Sequence, residues 1–268
     1  MEEALRRVRA SGLELPRVLF LEGRMALNSG KEREAAKLWR RAISMGGRDY
    51  RSMIALAMLQ RSAGRDDEAQ ETLVLAQEAF PGFDDRSVSA ELKLAELHAS
   101  KGREDERMAA IERWLAWNPG DYERRMEVAR WHMRAERWER ASVLFGEANE
   151  VDPFRRDLHL EWAAALIEQA RWEEALRELG VSLQVPAELD PDHLRFVGSV
   201  DLLPPGADPR RLPPALLGSL PPESLVPEPL EAGERADVLR DMARCARELG
   251  REEDALGYES EADGLTAD

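Results

Sequence analysis

A single cysteine, four lysines and three tyrosines stand in a chain of 268 residues. The lone Cys245 excludes an intrachain disulfide framework and a cysteine-based zinc site. The longest apolar run, Met53 to Leu59, is seven residues, with Trp162 to Ile167 next at six, whereas a bilayer-spanning helix needs about 20. The first twenty residues carry Arg6, Arg7 and Arg9 and no continuous apolar stretch, so they lack a secretory pattern. The expected compartment is the cytoplasm. A phosphate-binding glycine loop, a Gly-x-Ser-x-Gly elbow and a His-Glu-x-x-His pair are all missing. The carboxylates are spread along the chain, and none reads as a paired general acid and base. Acids outnumber bases by 53 to 38, a formal net charge of −15, which argues against a nucleic-acid backbone as the partner. The chain is therefore expected to be non-enzymatic, with no cofactor and no metal.

What is present is periodic. Gly30, Gly64, Gly102 and Gly250 each follow one apolar helical pattern and precede a charged cluster that opens a second. Glu136 and Ala170 occupy the same place at intervals of 34 residues. Arg137-Trp138-Glu139-Arg140-Ala141 recurs 34 residues on as Arg171-Trp172-Glu173-Glu174-Ala175. Small residues recur in the first helix of each unit (Gly23, Ala57, Ala95, Ala129, Ala163, Ala243) and early in the second (Ala35, Ala69, Ala141, Ala175, Ala255). A larger residue follows one turn on: Trp39, Leu73, Ile111, Phe145, Leu179. Small and large residues four apart share a helix face, which lets neighbouring helices approach and interlock. Outside residues 184–234 the prolines are Pro16, Pro81, Pro119 and Pro153, each expected where a second helix ends.

This pattern resembles the tetratricopeptide repeat (TPR). The resemblance covers about units 16–47, 50–81, 88–119, 122–153, 156–184 and 235–264, and it implies an all-α, right-handed solenoid of helix–turn–helix repeats. Glu22 departs from it, standing where an apolar residue is usual, and Arg107 and Trp114 stand in place of small ones. The last two suggest a rotated or shifted second helix in the third unit. Residues 1–15 read as a partial repeat or an N-terminal cap, 16–184 as five units, 185–234 as an insertion, and 235–268 as the last unit with a C-terminal cap. The insertion region holds 11 of the 15 prolines together with the apolar pairs Leu202-Leu203 and Leu216-Leu217. It is expected to form short turns, the first capped at Asp190 or Asp192, and to pack on the solenoid across the groove mouth.

The resemblance also implies that first helices line a concave groove. At the groove-facing positions stand Phe20, Arg24, Ile54, Met58, Arg61, Leu92, Met126, Arg130, Met133, Arg134 and Leu160. An apolar stripe flanked by arginines suits an extended or helical protein segment with apolar and acidic side chains. Met126, Arg130, Met133 and Arg134 share one side of a helix, with an acidic ligand, or Glu96 and Glu127, expected to compensate the arginines. His98 and His132 are read as packing between repeats rather than as ligands, and Cys245 as a small packing residue. The function this supports is an interaction scaffold. The alternatives are an accessory domain of a larger enzyme such as a hydrolase, docking its substrate or partner, and RNA binding by helical repeats, which the acidic balance opposes.

Overall fold

The structure, a computed structural model, describes residues 14–83, 85–189, 225–227 and 230–267. Twelve α-helices appear among them, as six antiparallel pairs. They fall into two compact units, Met1–Pro119 and Gly120–Asp268. The first unit holds α1 (Pro16–Asn28), α2 (Glu32–Ser44), α3 (Tyr50–Ser62), α4 (Asp66–Ala79), α5 (Ala90–Ser100) and α6 (Glu104–Trp117). The second holds α7 (Tyr122–Arg134), α8 (Trp138–Val151), α9 (Arg156–Glu168), α10 (Trp172–Ser182), α11 (Ala232–Glu248) and α12 (Glu252–Thr266). Within each unit a second helix packs on the first helix of the next pair, which is the TPR arrangement.

The turn inside every pair is one motif used six times. In α3–α4 the Arg65 N–H donates to Gln60 O at 2.9 Å and the Gly64 N–H to Arg61 O at 2.8 Å. This Schellman closure needs a left-handed residue, which glycine adopts without a Cβ clash. Gly30, Gly64, Gly102 and Gly250 have φ between 67° and 74°. Glu136 and Ala170 sit at the same place with φ 55°. A basic residue follows each turn (Lys31, Arg65, Arg103, Arg137, Arg171, Arg251) and makes no side-chain cap. Acids in the first turn of each second helix, such as Glu32, Asp66 and Glu252, instead complement the helix dipole.

The recurrent small residues are buried where helices touch. Ala35, Ala57, Ala69, Ala129, Ala141, Ala163, Ala175 and Ala255 are all 0% exposed. Gly23 is the tightest case, because a Cβ there would lie 2.2 Å from the Trp39 indole nitrogen. That nitrogen donates to Phe20 O at 3.1 Å, fixing the ring across the α1–α2 pair.

One sequence expectation changes, that of a rotated second helix in the third unit. Pro81, Pro119 and Pro153 follow second helices; Pro16 occupies the first turn of α1, where its missing N–H costs nothing, and the helix it is expected to close lies outside the described residues. In α6, Ile111 and Trp114 remain buried in the phase of Leu73 and Ala76, so the helix is not rotated. Arg107 pairs with Glu104 at 2.8 Å, and Met108 fills the core one residue on. The longer spacing between Gly64 and Gly102 arises in the α4–α5 connection, where Phe83 stacks on Tyr50 at 4.1 Å beside a short 3₁₀ turn, Arg86–Val88.

Between α10 and α11 the described residues are two short strands and the approach to α11. Strand β1 (Pro186–Leu189) pairs antiparallel with β2 (Leu225–Pro227), Leu189 opposite Leu225. The calls on Asp190, Asp192, Leu202-Leu203 and Leu216-Leu217 lie outside the described residues, as do those on residues 1–13. The stack nevertheless continues. Leu166, Ile167 and Leu179 of one pair share a core with Val238, Leu239, Met242 and Cys245 of the last.

Candidate functional site

The first-helix faces differ along the chain. Phe20, Ile54 and Leu92 are 3–5% exposed and Met126 is 0%, so these four form buried wall. Arg24 and Arg134 are exposed, and Met58 is half-buried. Arg61 meets Glu96 of the following first helix at 3.4 Å, and Lys93 also reaches Glu96, at 2.9 Å.

Arg130 is engaged more fully. Its Nε and Nη2 donate to the two carboxylate oxygens of Glu161 at 2.8 and 2.7 Å, and Nη2 also donates to Asp157 at 3.0 Å. The fork geometry makes this a strong pair, and the Glu161 hydrogen bonds hold the guanidinium firmly charged. The carboxylates expected from a ligand are thus supplied by α9 of the chain itself. Glu127 is taken by Arg124 at 2.6 Å and does not serve Arg130. Asp157 and Glu161 are not among the groove-facing positions read from the sequence, although both lie on α9, the first helix of the next pair, within a side chain's reach.

Met133 and Leu160 open onto a cavity of about 760 Å³ in the second unit. Its floor is apolar, from Met133, Leu160, Ile167, Leu179 and Val238. Two first helices wall it. From α9 come Asp157, Ala164 and Glu168; from α11 come Glu234, Asp237 and Asp241. On α11 these acids follow a spacing of three and four residues, which puts them on one face. The helix starts a turn earlier, relative to its small residue Ala243, than α9 does relative to Ala163, and the extra turn carries Glu234.

Most of the neighbouring charges already have partners. Asp237 receives Arg240 at 2.9 Å, and Asp157 is shared by Arg130 and Arg155. The Arg156 Nε donates to Ser182 O at 3.0 Å. Arg244 lies over the Trp172 ring at 5.7 Å. Burial pushes the Asp241 carboxyl up, with Arg244 pulling it partly back. Among the described residues, no ion pair or hydrogen bond engages the side chains of Glu168, Glu234 or Asp241.

Elsewhere, His159 lies at 3% exposure with Nδ1 2.8 Å from Glu178 and Nε2 2.8 Å from Pro153 O. A carbonyl only accepts, so Nε2 carries a proton; the Glu178 contact then needs a second one, on the ring or on the carboxyl. His98 and His132 are buried, and burial lowers the His98 pKa. Among the described residues no group of three or more His, Cys, Asp or Glu is placed to hold a metal ion, and no helix is long and apolar enough to cross a membrane.

The helix pairs, their turns and their buried alanines define a TPR-type helical-repeat protein. The sequence matches no protein-family model and no curated protein. Among solved structures it is similar to MamA of AMB-1, at 17% identity over 81% of this chain and 92% of that one, with a TM-score of 0.43. It is also similar to the C-terminal part of a TPR repeat-containing protein from Cytophaga hutchinsonii, at 12% identity over 98% and 88%, with a TM-score of 0.42.

Proposed function

We propose that the chain is a non-catalytic interaction scaffold that takes a segment of a partner protein on the first-helix face of its second unit. The observation that carries this reading is the cavity between α9 and α11. It is large enough for several side chains, and it joins an apolar floor to a polar rim, the combination that gives anchoring and orientation. Helical repeats present extended surfaces of this kind for binding. The arginines once expected to orient an acidic segment are weaker candidates, since Arg61 and Arg130 have carboxylates of their own.

A photo-crosslinking residue at Ala164, exposed on the cavity wall, tests the site. The matched control is Val143 on α8, 51% exposed and outside the cavity lining. Adducts to one discrete protein from position 164 and none from 143 are expected. Equal labelling from both, or from neither, removes the case for this face.

A further inference from the structure

We infer that the cavity between α9 and α11 selects a cationic, apolar segment: arginine or lysine flanked by leucine-like side chains. This rests on the proposal that the cavity is the docking face, and it sets the partner's charge opposite to the one the sequence suggested.

Both walls supply carboxylates that, among the described residues, make no ion pair or hydrogen bond: Glu168 from α9 and Glu234 and Asp241 from α11, of which Asp241 feels the nearby charge of Arg244. They sit above an apolar floor of Leu160, Ile167 and Val238. A segment that buries this floor also strips water from the rim. An unpaired carboxylate losing water is costly, whereas one that gains a guanidinium or ammonium recovers the loss through charge-assisted hydrogen bonds. An acidic segment would add like-charge repulsion to the same dehydration, so the rim rejects it as well as favouring its opposite. The two arginines at the lining keep their charge, but the five carboxylates Asp157, Glu168, Glu234, Asp237 and Asp241 outnumber them, so the sign is not reversed. Arg156 is tied to a main-chain carbonyl, and Arg244 lies on an indole face.

The whole chain is acidic, and any basic peptide will feel that field. The test therefore separates the cavity from net charge. The full chain is used to select from twelve-residue peptides randomised over Leu, Ala, Arg, Glu and Gln at about physiological ionic strength. Peptides combining Leu with Arg are expected to be enriched. The strongest is then titrated by fluorescence anisotropy against two triple variants. Glu168→Gln/Glu234→Gln/Asp241→Asn should weaken binding more than tenfold. Glu253→Gln/Asp254→Asn/Asp263→Asn, which neutralises the same number of exposed acids on α12, should change it less than twofold. Equal losses from the two triples, enrichment of Glu, or no enrichment of Arg would each overturn the inference. Enrichment of uncharged Leu-Gln peptides whose binding is blocked by Ala164→Phe would overturn the charge assignment and leave the docking face standing. Absence of any peptide binding, with no Ala164 crosslink, would remove both.

Discussion

Among the described residues, every turn inside a helix pair of Met1–Pro119 has glycine at its left-handed position, while in Gly120–Asp268 only the last of three does. Glu136 and Ala170 adopt the same backbone with a Cβ, at about 1–2 kcal/mol each. The two units also differ in what they bury. Among the described residues, the first encloses Glu91 and His98, and the second Arg125, His132, His159 and Glu178. Identical architecture is thus reached by agreement between local preference and packing in one unit, and against local preference in the other. Such conflicts gather where a protein serves something besides its fold, and here the unit that carries them also holds the cavity.

The largest break in this contrast is expected at the buried pair. Glu178→Leu strands the His159 ring and should cost about 3–5 kcal/mol of stability in the second unit. The double variant His159→Phe/Glu178→Leu should recover more than half of that, as judged by chemical denaturation. A double variant no better than the single one would show that the pair is not the source of the loss.

In the first unit the corresponding stress is alkaline. Tyr50 is 5% exposed; its hydroxyl accepts the Ala90 N–H at 2.8 Å, and burial pushes the phenol up to about 12. An unfolded tyrosine ionises near pH 10. The folded state therefore keeps its full advantage below pH 10 and loses it as the pH rises toward 12, by up to about 2 kcal/mol. The difference between wild type and Tyr50→Phe, followed by circular dichroism at pH 8 and pH 11.5, isolates this effect. Parallel alkaline losses in the two proteins would assign it elsewhere.

Exchanging turn residues should sharpen the comparison more gently. Gly64→Ala should destabilise, and Glu136→Gly or Ala170→Gly should stabilise, each by about 1 kcal/mol or less after the glycine entropy is counted. Space is not the issue at Gly64, where an added Cβ would meet nothing within 4 Å. Thermal midpoints shifting in the same direction for both exchanges would contradict the strain.

Cys245 offers the smallest perturbation and a local readout. It is 0% exposed, and burial pushes its thiol up to about 11, so iodoacetamide should label it only when α11–α12 opens. Labelling should quicken in Glu178→Leu. Rapid labelling of the native protein would place the thiol outside the core.

The fold was largely legible because its signals repeat. One glycine says little, but a turn recurring beside buried alanines and a closing proline fixes pairs, phase and order, and even Glu136 and Ala170 were placed by their register. Arg107 misled, because its side chain has the length to pair with Glu104 while Met108 fills the core. The candidate site was half legible. Met133 and Leu160 follow from the repeat, but the engagement of Arg130 by Glu161 depends on a neighbouring helix that a residue-by-residue register treats separately. The acidic wall on α11 lies beyond the insertion, past the last of the groove-facing positions that the sequence repeat marks, at Leu160.

The β1–β2 pairing has an engineering consequence. It brings Leu189 and Leu225 side by side, so the two ends of the intervening span meet at a narrow neck between α10 and α11. Loop closure grows slowly with length, each doubling adding about 0.6 kcal/mol. The span between Leu189 and Leu225 is therefore a natural socket: a short hairpin or a whole folded domain with adjacent termini should be exchangeable there while the last repeat stays docked. Because Leu230 lines the cavity just beyond the neck, anything grafted into the socket would be delivered to the lip of the docking face.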